Sequence, residues 1–295
     1  MTIKSSGAIS FTNITDEFGV AGTRSMSNYY GLDAGIPNSG PIKFSDFYGK
    51  IINATRTIGE STNYNAYNDL SNASIVRAYK SIATVVSSNS PVKLYITVNG
   101  IISASDTLTT AFNTGSFPAG SSLYLTNNNY IVGAGGNGGN ANGGGGSNGG
   151  PALTLNLTTF ITNNGTIGGG GGGGGAGGGG CFTQCQQVGC CEQRCYTACA
   201  DGGGGGGGAG SVAGSGGSGA NGGTSGTLTT AGSGGSGGFS ENGAASASGS
   251  AGASGGNLGE NGGGSSGSGG TAGNYIVNNA FATWLVTGTR LGGVG

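Results

Sequence analysis

Glycine, and where it sits, constrains this chain more than any other feature. Of 73 glycines in 295 residues, 11 lie in residues 1–130 and the remaining 73 − 11 = 62 in the 165 residues that follow. Ordinary soluble proteins use roughly 7 %. Glycine loses more conformational entropy on ordering than any other residue and brings no side chain to a core. A glycine-rich half folds only if its backbone groups hold it together.

The interruptions are periodic. Ser215, Ser218, Asn221 and Thr224 fall every third residue, as do Ser248, Ala251, Ser254, Asn257 and Glu260, then Ser265, Ser268, Thr271 and Asn274; Ala134, Asn137 and Asn140 do the same. A flexible linker is the ordinary reading of such composition, and this regularity argues against it. Three residues per turn is the period of polyproline II, whose N–H and C=O groups find no partner within the helix. Without Cβ atoms, neighbouring helices approach closely enough to satisfy one another. Polar ridges then mark outer helices, and pure runs such as Gly168–Gly175 belong inside. Chain reversals are expected at Cys181–Asp201, Leu228–Ala231, Phe239–Ala247 and Asn257–Asn261. Collagen is excluded by five prolines, of which only Pro151 lies in the glycine-rich half.

Other counts exclude function classes. The chain has no histidine, which removes His-based triads and metal sites. Net charge is −1 without a basic run, so the footprint of nucleic-acid binding is missing. No apolar stretch approaches the ~20 residues of a membrane span, and Met1-Thr-Ile-Lys-Ser-Ser-Gly has no apolar core of a secretory signal. Twenty-two aromatics in total, 10 Phe, 11 Tyr and 1 Trp, argue against disorder.

Four segments follow. Residues 1–50 form a small aromatic unit; Ile9, Phe11, Ile14 and Phe18 fit a short helix, with Thr15-Asp16-Glu17 as its acidic start. Too short to bury much core alone, it still carries Phe18, Tyr29, Tyr30, Phe44, Phe47 and Tyr48, which predicts a partner surface. Residues 51–132 form a β-rich domain. Leu94, Ile96 and Val98 alternate there with polar residues, and Asn99-Gly100 predicts a hairpin. Ile75, Tyr79, Ile82 and Val86 allow a helix, although Val85-Val86 fits a strand equally. Residues 133–274 are the glycine-rich domain. Residues 275–295 are an apolar segment expected to dock back as a strand. An internal echo links the second and third segments. Tyr124-Leu-Thr-Asn-Asn-Asn-Tyr-Ile-Val-Gly is answered by Phe160-Ile-Thr-Asn-Asn-Gly-Thr-Ile-Gly-Gly, each reading as a strand that feeds a glycine run.

All six cysteines fall between Cys181 and Cys199: Cys181, Cys185, Cys190, Cys191, Cys195 and Cys199. Cys181/Cys185 and Cys191/Cys195/Cys199 recur at one-turn spacing, which predicts two short helices stapled by disulfides around a Val188-Gly189 turn. Six cysteines allow fifteen pairings. A metal or iron–sulfur site and free thiols are the alternatives, although C-x2-C knuckles and histidines are lacking. Disulfides imply an oxidising, extracellular working place.

Three segments carry a family resemblance: Phe117-Pro-Ala-Gly-Ser-Ser-Leu-Tyr-Leu-Thr-Asn-Asn-Asn-Tyr-Ile-Val-Gly-Ala-Gly-Gly-Asn-Gly-Gly, then Gly149-Gly-Pro-Ala-Leu, then Asn163-Asn-Gly-Thr-Ile before Gly168–Gly175. They resemble the receptor-binding tips of tailed-bacteriophage fibres, among them the T-even-type tail-fibre tip adhesins. Ile9-Ser-Phe-Thr-Asn-Ile-Thr-Asp-Glu-Phe-Gly and Ile42-Lys-Phe-Ser-Asp-Phe-Tyr-Gly-Lys resemble a segment near the start of phage tail proteins. The six-cysteine insertion departs from the family pattern.

The resemblance implies a mainly β protein with a polyglycine II bundle: an N-terminal attachment unit, a β-rich middle domain and a glycine-rich C-terminal sandwich whose loops bind a host receptor. The chain would then work on a virion, at a fibre or tail tip. Its partners would be other tail proteins at the N-terminus, and a host outer-membrane protein or surface glycan at the loops. Phe182, Tyr196, Leu228, Phe239 and Leu258 are the candidate receptor contacts, being apolar groups on loops with little core to join. No cofactor and no metal is called for. A purely structural fibre or baseplate part is the alternative. A glycan depolymerase would need paired carboxylates, and Asp16/Glu17, Asp46 and Asp106 are scattered.

Overall fold

The computed structural model describes residues 3–18, 25–31, 35–72, 76–77, 80–81 and 91–295. Three five-stranded sheets run through it, and every neighbouring pair of strands in them is parallel. The chain visits the three sheets in turn, five times. The first coil is Ile52–Ile58, Ser61–Thr62 and Tyr64–Asn65; the second is Val92–Val98, Ile102–Ser103 and Phe112–Asn113. The third is Ser122–Asn127, Tyr130–Val132 and Leu153–Thr154; the fourth is Thr158–Asn163, Thr166–Gly168 and Asn274–Val277. Ala282–Val286, Thr289–Leu291 and Gly293–Val294 complete the fifth. This is a three-sided parallel β-helix, and it takes in strands well beyond residue 132.

Registered ladders of inward side chains make its core. Ile96, Leu125 and Ile161 stack on one wall, Ile102, Ile131 and Ile167 on the second, and Tyr64, Phe112, Leu153 and Ile276 on the third, all buried. The echo at residues 124 and 160 is one coil lying on the next. Tyr124 pairs with Phe160 at a ring separation of 4.8 Å, and Tyr95 stacks on Tyr124 at 4.9 Å. Asn274–Val277 and Ala282–Val286 run parallel to Leu153–Thr154 and Thr158–Asn163 respectively.

Two expectations for the β-rich segment fare differently. Asn99-Gly100 joins no hairpin among the described residues, because both strands beside Val92–Val98 run parallel to it and the chain turns there into another sheet. A Cβ on Gly100 would run into the Gly59 carbonyl of the coil beneath. The glycine therefore serves close stacking of corners rather than a two-residue turn. Ile75, Tyr79, Ile82 and Val86 lie outside the described residues.

Asparagines close the corners. Buried Asn127 donates through Nδ2 to Asn163 Oδ1 at 2.8 Å, and Asn163 Nδ2 donates to the carbonyls of Thr287 and Thr289, both at 3.0 Å. Leaving a buried polar group unpaired costs about 1–3 kcal/mol. Asn163→Ala should therefore lose about 2–3 kcal/mol, whereas exposed Asn164→Ala should stay within ~0.5 kcal/mol. Urea midpoints of the two variants would show whether the ladder bears this weight; equal shifts would deny it.

The glycine-rich chain leaves the β-helix between the second and third walls, as residues 133–152 in the third coil and 169–273 in the fourth. Its hydrogen bonds repeat every third residue. Gly170, Gly173 and Ala176 donate to the carbonyls of Gly150, Ser147 and Gly144; Gly171, Gly174 and Gly177 to Ala209, Gly206 and Gly203; Gly172 and Gly175 to Glu260 and Gly263. These eight bonds measure 2.7–3.0 Å. The same run accepts from segments 133–139, 250–256 and 267–273, so six neighbours surround it. Residues 202–210 bond likewise in three directions, to 221–227, 250–256 and 133–139. Both runs are buried, Gly168–Gly175 among them, and the threefold ridges at Ser215, Ser218, Asn221, Thr224, Ser254 and Asn257 are exposed. A core made of backbone needs these neighbours because each strand-like run has no bonds of its own.

Candidate functional site

The bundle has a near end and a far end. At the near end, Ser211 Oγ bonds both backbone groups of Ala104 in the β-helix, at 3.0 and 3.1 Å. Ten residues outward along 168–178 the chain enters the reversal that forms the far end. That far end carries two antiparallel hairpins. One is a ribbon of Gly180–Val188 and Glu192–Ala200; the other is Phe239–Asn242 with Ala245–Ser248.

The ribbon corrects the helices expected for the cysteine segment. Cys181 faces Cys199 and Cys185 faces Cys195, and each facing pair is a disulfide. Between them Thr183 and Thr197 share a hydroxyl hydrogen bond of 2.8 Å. A spacing of four puts residues on one side of a strand as well as of a helix. Phe182, Thr183, Tyr196 and Thr197, residues that favour strands, decide between them. Cys190 and Cys191 are free and exposed in the three-residue turn Gly189–Cys191, where Gly189 has a φ of +78°. Two disulfides and a thiol pair therefore replace full pairing of the six. The signal was available: 181 + 199 and 185 + 195 both equal 380, the constant sum of an antiparallel pair centred on residue 190.

At its base the ribbon packs on the second hairpin. Ala198, Ala200, Ala245 and Ala247 are buried together with Tyr196 against them, and Asn242 Nδ2 donates to the Thr197 carbonyl at 2.9 Å. A Cβ on Gly243, at φ +61°, would collide with the Tyr196 ring. Tyr196 thus pins the hairpins together and is only half exposed. Phe182 and Phe239 project, 51 % and 68 % exposed, with Val188 near the ribbon's turn. Glu192 and Arg194 pair with each other at 2.9 Å, so the ribbon presents a largely neutral surface rich in glutamine.

The five proposed receptor contacts do not converge. Phe182, Tyr196 and Phe239 share the far end. Leu258, 4 % exposed, is buried at the near end with Val132 and Ala209, and Leu228 packs against that cluster. Leu258 seals the bundle onto the β-helix, and its burial takes it off any receptor surface; Leu228 lies half-buried beside it, away from the two hairpins. The near end has an apolar wall in Val132 for them to cover.

At the N-terminus, the described part of residues 1–50 contains the helix Phe11–Phe18 and the short 3-10 turns Met26–Tyr29 and Phe44–Phe47. Phe18, Tyr29 and Phe47 are not a docking surface: they form a buried trio with ring centroids 5.9–6.2 Å apart. They belong to one apolar cluster with the β-helix core, which supplies the burial so short a unit lacks. Tyr30 is half-buried, its hydroxyl donating to the Gly40 carbonyl. Phe44 and Tyr48 remain outward, 43 % and 37 % exposed.

Comparisons with known proteins fit this layout. Residues 53–295 match the model of the family described as phage tail fibre adhesin Gp38. Among solved structures, the chain is similar to the crystal structure of the gp37-gp38 adhesin tip complex of the bacteriophage S16 long tail fiber. That likeness has a TM-score of 0.52 at 22 % identity, over 98 % of this chain and 99 % of the other. No curated protein sequence matches the chain.

Proposed function

The chain belongs to the phage tail fibre adhesin Gp38 family, and from that premise we propose that it recognises a host cell surface through the two hairpins at the far end of its glycine bundle, without catalysing a reaction. One observation carries this reading: Phe182 and Phe239 stand exposed on the two hairpins at the bundle's far end, which are held by disulfides and an alanine cluster. Exposed aromatics on a rigid support lose little entropy on binding and are typical energetic anchors. The receptor would be an outer-membrane protein or a surface glycan.

Phe182→Ser with Phe239→Ser leaves the bundle's hydrogen bonds intact, so stability should shift by less than about 1 kcal/mol. Competition by the isolated protein against phage adsorption should weaken at least about tenfold, equivalent to ~1.4 kcal/mol. Unchanged competition would move recognition away from these rings.

The other end supplies the attachment. The similar solved structure is titled as a complex of gp37 with gp38, and residues 1–50 precede the family match. We assign residues 1–50 to docking on another tail-fibre protein, with Phe44 and Tyr48 as the outward aromatics. Particles assembled with a chain lacking residues 1–50 should lose the adhesin, as seen by mass spectrometry of purified virions; normal incorporation would refute the assignment.

A further inference from the structure

Beside the root of the ribbon lies a groove of about 380 Å³ lined by Asn142, Gly178–Gly180, the Cys181–Cys199 disulfide, Asp201 and Ser266. Its size falls within the roughly 300–1,000 Å³ of small-ligand sites. Glycine keeps it open: a Cβ on Gly178 would lie 2.6 Å from Ser266 Oγ, and one on Gly179 2.5 Å from Asn142 Oδ1.

Ser250 Oγ accepts firmly from Gly178 N at 2.8 Å, but the side chains of Asn142, Asp201 and Ser266 are loosely engaged by the protein. Asn142 Nδ2 reaches Asp201 Oδ1 at 3.4 Å, Gly202 N reaches Asn142 Oδ1 at 3.4 Å, and Ser250 and Ser266 hydroxyls are 3.4 Å apart. Protein N–H···O bonds ordinarily measure about 2.7–3.2 Å, and those of the adjacent buried run measure 2.7–3.0 Å. Asp201 is the charged residue of the lining, with no lysine or arginine beside it, so an anionic ligand would be repelled. What suits a carboxylate, an amide and a hydroxyl around a floor of glycine methylenes and a disulfide is a neutral ring with hydroxyls on its rim. Each hydroxyl donates and accepts, and the carboxylate takes two such donors.

We propose that this groove binds a pyranose unit of a bacterial surface polysaccharide, with Asp201 and Asn142 on adjacent ring hydroxyls, Ser266 on a third, and the ring's C–H face over Gly179 and the Cys181–Cys199 disulfide. The proposal rests on the receptor-binding reading above and assigns that site a ligand class.

The test uses the full-length protein, wild type and the variants Asp201→Asn and Ser266→Trp, on immobilised lipopolysaccharide O-chains and core oligosaccharides from strains to which the phage adsorbs. Ser266 is exposed on a reversal of the chain, so a tryptophan fits there and fills the groove. Wild-type protein should bind at least one saccharide. Both variants should lose at least about tenfold in affinity, and binding should hold between roughly 0.05 and 0.5 M salt because no ion pair is involved. Unchanged circular dichroism and an unchanged disulfide count would show that the variants fold. Capture of cells without binding to any saccharide, or capture abolished by protease treatment of the cells, would overturn the pyranose assignment and leave the adhesin reading standing. So would wild-type saccharide affinity in both variants. Failure to capture any cell would instead strike the adhesin reading itself.

Discussion

Gly171→Val should fail to give folded protein at growth temperature, whereas Ser254→Val should be nearly silent. Gly171 lies in the buried run, its N–H donating to the Ala209 carbonyl at 2.7 Å. A Cβ there would run into the carbonyl oxygens of Gly256 and Asn257. The obstruction is backbone, so no rotamer change relieves it. Separating the runs breaks the bond from Gly171 and the bond of 2.8 Å that Gly256 N donates to the Gly172 carbonyl. Each buried group so orphaned costs about 1–3 kcal/mol, and overpacking adds about 1–3 kcal/mol. The sum, about 5 kcal/mol or more, matches the whole stability of a marginal domain. Ser254 stands on an exposed ridge, where substitutions ordinarily stay within ~0.5 kcal/mol. Soluble yield and urea midpoints would compare them; two equal losses would mean that the run is not packed as described.

The same contrast shows why the glycine half was legible in its sequence. A core made of backbone admits no Cβ, so side chains survive only on outward ridges, and the helical period is written directly into their spacing. Ala176 and Ala209, both buried, are rare departures inside the central runs. The β-helix announced itself only through its echo, because stacked coils need similar residues at the same wall: Tyr124 over Phe160, Asn127 over Asn163. What the spacing could not reveal was direction. Asn99-Gly100 signals a hairpin wherever the next strand can fold back, yet here the following strand, Ile102–Ser103, lies in another sheet. The preference for glycine came instead from the Gly59 carbonyl one coil away.

Side-chain roles followed a similar division. Apolar side chains on loops read alike in the sequence, although Leu258 and Leu228 face a wall that sequence order does not disclose: Val132 is more than a hundred residues from Leu258 yet packed in the same cluster. The aromatics Phe18, Tyr29 and Phe47 misled for the same reason, since their core is completed by the β-helix. Asn142, Asp201 and Ser266 carried no local signal at all. They meet only because three chain reversals fall at one end of the bundle.

Reduction of Cys181–Cys199 and Cys185–Cys195 should melt the ribbon while the bundle stays folded. The ribbon is exposed along almost its whole length, with burial confined to Ala198 and Ala200 at its root. A two-stranded hairpin without a covered face is marginal in water. Its disulfides close loops with sequence separations of 18 and 10 residues, and closures of this kind contribute about 2–4 kcal/mol each. The bundle depends on neither. Residues 169–177 and 202–210 draw their bonds from surrounding runs, so their amides should remain protected from hydrogen exchange after reduction. Amides of residues 183–197 should exchange at least about tenfold faster, and host adsorption should fall with them, because Phe182 and its floor lose their support. The starting state can be verified on the intact protein: a mass four hydrogens below the fully reduced value, with Cys190 and Cys191 open to alkylation. A loss of six would mean that these two also pair. If ribbon amides stayed protected after complete reduction, strand pairing alone would hold the hairpin. If they exchanged while adsorption persisted in full, recognition would belong to the second hairpin and Phe239.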